Sequence, residues 1–251
     1  MVHFVGAGSG AVDLITVRGA ELLKKADVII YAGSLVNPEL LNYAKEGCEI
    51  HNSAYMTLDE VIAEIEKAEK AGKMTVRLHT GDPCVYGAIK EQMDRLTPMG
   101  IDYDVVPGVS SFCGAAAALK AEYTLPNVSQ SVIITRMEGR TPVPERENIR
   151  SMAAHQCSMV IFLSTGLLEE LSKELIAGGY SADTKAALVY KATWPDEKVF
   201  RCTIGTLAET AKKNNITKTA LTVVGEFLGD DYELSKLYAP DFETEFRKAS
   251  K

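Results

Sequence analysis

Three short loops carry the residues best suited to holding a small molecule against bare backbone: Gly6-Ala7-Gly8-Ser9-Gly10, Thr80-Gly81-Asp82-Pro83 and Pro107-Gly108-Val109-Ser110-Ser111. Glycine lets a ligand approach the main chain and accepts backbone angles that other residues resist. Asp and Ser at the mouth of a helix cap its free N–H groups. The first loop invites a dinucleotide-binding reading, because glycines there let backbone amides approach a pyrophosphate. Its spacing fails that test. The fingerprint requires Gly-x-Gly-x-x-Gly, whereas the glycines fall at 6, 8 and 10, residue 11 is Ala, and the next apolar run ends at Tyr31 without an acid for a ribose hydroxyl. A tight strand-to-helix turn alone would also account for these glycines. In the second loop the pattern predicts Asp82 as N-cap and Pro83 as first residue of a helix beginning near Cys84, a geometry compatible with a ligand lying on Gly81. The same arrangement recurs after residue 106, and two such loops at one sheet edge favour a site over coincidence. Acid–base candidates are few. His79 and Asp13 lie near loop ends, but a single His at a strand end commonly packs or caps, and no catalytic base is assigned.

These loops need a scaffold that aligns them. Residues 2–6 and 27–31 are short apolar runs separated by a helical stretch over 16–26, which predicts a βαβ unit and a parallel pair. Thr57–Ala71 opens with a capping box, Thr57-Leu58-Asp59-Glu60. It sets Leu58, Val61, Ile62, Ile65 and Ala68 on one face before Gly72 ends it. Met74–His79 and Asp102–Val106 read as buried strands, each followed by a turn and a helical segment. In an open parallel sheet, ligands bind beyond the carboxyl ends of the strands, so the loops after residues 6, 79 and 106 should share one cleft. From about residue 129 the pattern predicts strands 130–135, 158–163, 185–190, 197–203 and 220–225, with helices near 147–155, 166–177 and 205–213. The link between 185–190 and 197–203 is too short for a helical crossover, so that pair should be antiparallel. The expected fold class is α/β in two domains: residues 1–116 with a mostly parallel sheet, and 117–251 with a mixed sheet. The alanine-rich stretch 115–118 at their junction is helix by propensity.

Composition narrows the function classes. In 251 residues, 46% are apolar and 24% charged, a globular balance. The net charge of −7, with no lysine or arginine block, argues against a nucleic-acid partner. An anionic small molecule would need a local group of Arg or Lys. Five cysteines, none in a Cys-x-x-Cys pair, indicate neither a disulfide frame nor a metal clasp. No apolar run approaches about 18 residues and no charged-then-apolar leader opens the chain, so a soluble, cytoplasmic protein without a membrane partner is expected.

Val5-Gly6-Ala7-Gly8, Asp13-Leu14-Ile15-Thr16, Ala26-Asp27-Val28, Thr80-Gly81-Asp82-Pro83 with Tyr86-Gly87, and Val106-Pro107-Gly108-Val109-Ser110-Ser111 resemble, in order and spacing, the tetrapyrrole (corrin/porphyrin) methylase family. Thr135-Arg136-Met137-Glu138-Gly139-Arg140-Thr141-Pro142-Val143-Pro144-Glu145 and Tyr190-Lys191-Ala192-Thr193-Trp194-Pro195-Asp196-Glu197-Lys198 are similar to its branch that methylates precorrin-4 or cobalt-precorrin-4 at C11 in cobalamin biosynthesis. The likeness runs from about residue 2 to Leu237-Tyr238. It implies S-adenosyl-methionine in a trough between two α/β domains, a tetrapyrrole substrate and a homodimer. Carried over by motif, the cofactor contacts are Gly81, Asp82, Val85, Ser110 and Ser111, with Leu163, Ala192, Ala220, Leu221 and Thr222 in the second domain. Precorrins bear many carboxylate arms, for which Arg136, Arg140 and Lys191 are the candidate partners. Ser9 is a further substrate-side candidate. It stands where the family usually has Pro followed by Gly-Asp-Pro, while this chain has Gly10-Ala11-Val12, so a more flexible loop is expected. Trp194 is either a flat wall for the macrocycle or core. No protein metal ligands are implied. Methyl transfer from a sulfonium is an in-line displacement that depends on alignment and needs no catalytic triad. Alternatives within the family are another corrin-pathway carbon, the modified histidine of an elongation factor, or ribosomal RNA. Outside it stand a binder of tetrapyrrole or cofactor without turnover, and a nicotinamide oxidoreductase.

Overall fold

The structure is a computed structural model and describes residues 1–250. Contacts divide the chain into two compact units, Met1–Ala115 with Lys191–Glu197, and Ala116–Tyr190 with the chain from Lys198 onward. A single boundary at residue 116 therefore misses one excursion: the link Lys191–Glu197 makes its contacts with the first unit.

The first unit is built on β1 (Val2–Gly6), β2 (Val28–Tyr31), β3 (Glu49–Asn52), β4 (Thr75–His79) and β5 (Tyr103–Val106), in the order β3-β2-β4-β1-β5. All pairings are parallel. Every residue of β1 and β4 is buried, as expected of central strands covered on both faces. Helix α1 (Val17–Lys25) follows β1, α2 (Leu58–Lys70) follows β3, and α3 (Ile89–Leu96) follows β4. On one face of the sheet Phe4 and Ile30 pack with Ile62, Ile65 and Leu96 of α2 and α3. On the other, Val5, Ile29 and Leu78 pack with Leu23 of α1 and with Leu40. The predicted capping box is present: Glu60 N–H donates to Thr57 Oγ1 at 3.3 Å, and Thr57 N–H donates to the Glu60 carboxylate at 2.6 Å. The Thr57 N–H and then its hydroxyl, both donating to the carboxylate, hold the Glu60 carboxyl below its ordinary pKa. The edge strand β3 was not expected, since its mixture of Glu, Ile, His and Asn shows no clear alternation.

In the second unit β6 (Val132–Arg136), β7 (Ser158–Phe162), β8 (Lys185–Tyr190), β9 (Lys198–Thr203) and β10 (Ala220–Val224) lie in the order β6-β7-β10-β8-β9. β6 and β7 are parallel, and the remaining pairs, including β8 with β9, are antiparallel. Helix α4 (Ser111–Leu119) contains the alanine-rich stretch. After it come α5 (Ile149–Ala153), α6 (Leu168–Ala177) and α7 (Leu207–Lys213), which bury Leu171, Leu175 and Leu207 against Met159, Ile161 and Leu188. Arg201 donates from Nη2 to Leu119 O at 2.9 Å and from Nη1 to Leu228 O at 3.0 Å, placing a cation at the C-terminal end of α4. All five cysteines are free thiols. Among the described residues, no helix is long and apolar enough to cross a membrane.

The capping box sits far in sequence from the glycine loops. Thr57→Ala should lower the unfolding free energy by about 1 kcal/mol in urea titration while leaving the function of those loops intact. A loss below a few tenths would mean that α2 does not depend on its cap.

Candidate functional site

β1 lies between β4 and β5, so the chain leaves the sheet at three adjacent carboxyl ends. The loops beyond them interlock through backbone. Ala7 N–H donates to His79 O at 2.7 Å, Gly8 N–H to Gly81 O at 3.2 Å, and Gly81 N–H to Gly8 O at 2.9 Å. A Cβ on Gly6 would stand 2.6 Å from both Gly108 Cα and Gly81 O, and one on Gly108 would overlap the same carbonyl. Main chain meets main chain here, and only glycine permits it. Asp82 fastens the knot: Oδ1 accepts from Cys84 N–H at 2.8 Å and Oδ2 from Gly108 N–H at 2.9 Å. The expected helix at Cys84 is therefore absent. Asp82 braces one loop against another, the chain passes through left-handed Tyr86 and Ala88, and α3 starts only at Ile89.

Gly81 is left-handed at φ +61°, and an added Cβ would reach within 3.5 Å of Ser110 Cα and Ser111 N. Gly81 and the start of α4 are thus close neighbours, main chain facing main chain. Val85 is half-buried beside it in sequence, Ser110 is buried, and Ser111 begins α4. Two polar atoms at this end of β4, Thr80 Oγ1 and His79 Nε2, are buried without a hydrogen-bond partner. Below them Arg77 is buried as well, donating from Nε to Gln92 Oε1 and from Nη1 to Ile30 O, each at 3.0 Å. Burial, and then the neighbouring Arg77 charge, depress the His79 pKa from 6.5 to about 3. The imidazole, 4% exposed, is therefore neutral and too weak a base to take a proton near pH 7.

The first loop is held from two sides. Asn37 Nδ2 donates to Gly10 O at 2.9 Å. On the other side Thr193 Oγ1 accepts from Ala11 N–H and shares a hydrogen bond with Ser9 Oγ, both at 3.0 Å, while Thr193 N–H donates to Glu197 Oε2 at 2.6 Å. The Trp194 indole lies so close to Gly10 that no Cβ fits between them. Ser9 is buried. The flexibility expected of this loop is not what the structure holds: its hydroxyl and amide partners fix it. Thr193 achieves this with φ +68°, and Lys191 precedes it at +46°. A β-branched residue in that region costs about 1–3 kcal/mol, tolerated where surrounding contacts over-determine it. Ala192, expected in the second domain, belongs with this link to the first unit. The Lys191 ammonium pairs with Asp196 at 2.6 Å and lies 5.3 Å from the Trp194 ring. Beside the link a cleft of about 380 Å³ is bounded by Ala11, Val12, Tyr43, Trp194 and Pro195, with Asp13 and Glu39 also lining it. Trp194 is thus a cleft wall.

In the second unit Leu163 directly follows β7 in a left-handed conformation at φ +52°, with 65% of its surface exposed. Ala220, Leu221 and Thr222 are buried in β10, where Thr165 Oγ1 donates to Ala220 O at 2.9 Å. The Arg136 guanidinium is directed to its own loop, donating to Met137 O at 3.2 Å, Thr141 O at 3.1 Å and Pro142 O at 2.7 Å. Arg140 is exposed. Sequence reasoning missed Asn37, Thr193 and Glu197. Asn37-Pro38 is a recognisable cap, and Asn37 does accept from Glu39 N–H, but nothing local marks its second bond to Gly10 or the reach of Thr193.

The family model of the tetrapyrrole (corrin/porphyrin) methylases matches residues 1–208. A cobalt-precorrin-4 C(11)-methyltransferase of Methanocaldococcus jannaschii is 55% identical over 251 residues, covering 100% of this chain and 97% of that protein. The X-ray structure of a cobalamin biosynthetic enzyme, cobalt precorrin-4 methyltransferase, aligns with a TM-score of 0.89 at 47% identity, over 91% of this chain and 96% of that one. A uroporphyrin-III C-methyl transferase from Thermus thermophilus, complexed with S-adenyl homocysteine, aligns with a TM-score of 0.75 at 25% identity, over 90% and 92%.

Neutral His79 makes a testable contribution to stability. Its folded pKa is depressed, so the contribution is complete above the free imidazole value of 6.5 and is lost as pH falls toward about 3. Within that window the unfolding free energy should drop by up to about 1.4 kcal/mol per pH unit from this group. Denaturant titrations at several pH values should show a shallower slope for His79→Leu, and equal slopes would refute the assignment.

Proposed function

Because the chain belongs to the tetrapyrrole (corrin/porphyrin) methylase family, we propose that it transfers a methyl group from S-adenosyl-methionine to C11 of precorrin-4 or cobalt-precorrin-4 in cobalamin biosynthesis, working as a cytoplasmic homodimer. The substrate reading rests on the full-length likeness to a cobalt-precorrin-4 C(11)-methyltransferase. The cofactor reading rests on the family and on the placing of left-handed Gly81 next to Ser110 and Ser111 at the start of a helix, with the adjacent Thr80 hydroxyl buried and without a hydrogen-bond partner.

When bound, S-adenosyl-methionine supplies an electrophilic methyl group on a sulfonium, open to in-line attack by an electron-rich ring carbon. The task left to the protein is alignment, for which a rigid cradle serves better than a reactive side chain. Gly81 and Val85 would offer backbone and an apolar wall. Ser110 and Ser111 would offer hydroxyls at the start of a nine-residue helix whose dipole favours a carboxylate. Asp82 would act through the loops it joins, since its carboxylate already accepts two backbone N–H groups. Ala192 would contribute from the Lys191–Glu197 link. For the acid arms of the substrate, Arg140 and Lys191 are the proposed partners, and Arg136 shapes the loop that carries Arg140. His79 is neutral and would not serve as base.

Incubation with S-adenosyl-methionine and precorrin-4, with and without cobalt in the ring, followed by mass spectrometry should show a gain of one methyl that maps to C11. The better-used ring form identifies the preferred metal state. If the cofactor binds and neither ring is methylated, the C11 reading fails; if the cofactor does not bind, the methyl-donor reading fails as well.

A further inference from the structure

Thr193 combines a strained backbone with a side chain fully engaged on a loop 182 residues away in sequence. Its hydroxyl accepts the Ala11 N–H and bonds Ser9 Oγ, and Glu197 holds its own N–H in place. Trp194, the next residue, lies on Gly10. These contacts shape one wall of the cleft bounded by Ala11, Val12, Tyr43 and Trp194. Its apolar, partly aromatic walls suit the flat edge of a conjugated ring, and a volume of about 380 Å³ falls in the range of small-molecule pockets. Exposed Asp13 and Glu39 add negative charge at its rim, which disfavours acetate and propionate arms at that side of the cleft.

We propose that Thr193 is a positioning residue for the tetrapyrrole: from a left-handed backbone its hydroxyl locks Ser9–Ala11 and so fixes the cleft that receives one edge of the ring. This rests on the tetrapyrrole reading above. The strain has a clear purpose in this arrangement, because a relaxed backbone at Thr193 would not present the hydroxyl to Ser9 and Ala11 at once.

The single tryptophan provides the probe. Binding of precorrin-4 beside Trp194 should quench its emission and report the dissociation constant. Thr193→Val, which removes the hydroxyl, should weaken precorrin-4 binding about tenfold and speed hydrogen exchange at the Ala11 amide. Affinity for S-adenosyl-methionine should fall much less than that for precorrin-4, since Gly81, Ser110 and Ser111 make no hydrogen bond to Thr193 and only Ala192 lies on the same link. Thr193→Ser should restore both properties. Thr193→Gly relaxes the backbone, so it keeps the fold even where Val at positive φ does not, and it should bind precorrin-4 as weakly as Thr193→Val. Unchanged precorrin-4 affinity in the Gly variant, or cofactor affinity falling in step with it, overturns the proposal. Failure of the wild-type protein to bind precorrin-4 brings down the substrate reading and this proposal together, whereas wild-type binding with indifferent variants brings down this proposal alone.

Discussion

Where β1, β4 and β5 end, three strands of main chain pass within van der Waals contact of one another, and every feature of the site is measured from that crossing. Gly6 and Gly108 are there because no side chain fits, and Gly81 because its backbone is left-handed. The close approach lets two hydrogen bonds join the Gly8 and Gly81 backbones, and it lets one carboxylate, Asp82, reach the amides of two loops. Such a contact cannot be loosened gradually, since a displaced loop loses its hydrogen bonds and leaves buried polar groups unpaired. Rigidity of this kind suits methyl transfer, in which geometry contributes more than acid or base strength.

A second fastening acts on the first loop from a distance. Lys191–Glu197 joins two antiparallel strands of the second unit, yet its contacts belong to the first. Two of its residues are left-handed without being glycine. Local strain of this sort persists only where neighbouring contacts outweigh it, and Thr193 has three such bonds. Ser9, Gly10 and Ala11 lie beyond the glycine crossing and take their hydrogen bonds from this link and from Asn37. Here their conformation depends on residues that a local reading of the loop does not include.

Legibility in the sequence followed the range of the interaction. The buried runs of β1 and β4 and the helix α2 were clear, because periodicity and a capping box act within a few residues. The antiparallel pairing of β8 and β9 followed from the length of their link. Asp82-Pro83 carried a genuine helix-start signal that the structure spends elsewhere, since its carboxylate has a partner 26 residues away at Gly108. Ser9 looked like a point of flexibility because its partner is 184 residues distant. Arg136 looked like a ligand for acid arms, but three carbonyls of its own loop claim the guanidinium. The neutral state of His79 was equally hidden, because it comes from burial and from Arg77, which shares its face of the sheet.

The dependence of the cofactor cradle on the glycine crossing is tested most directly by calorimetric titration of S-adenosyl-methionine into Gly108→Ala, with Gly166→Ala as control, since a Cβ at Gly166 meets nothing within 4 Å. Gly166→Ala should bind as the parent does, and Gly108→Ala, folded at reduced temperature, should lose at least about tenfold in affinity, or roughly 1.4 kcal/mol. Parental affinity in folded Gly108→Ala would contradict the view that the crossing sets the cradle.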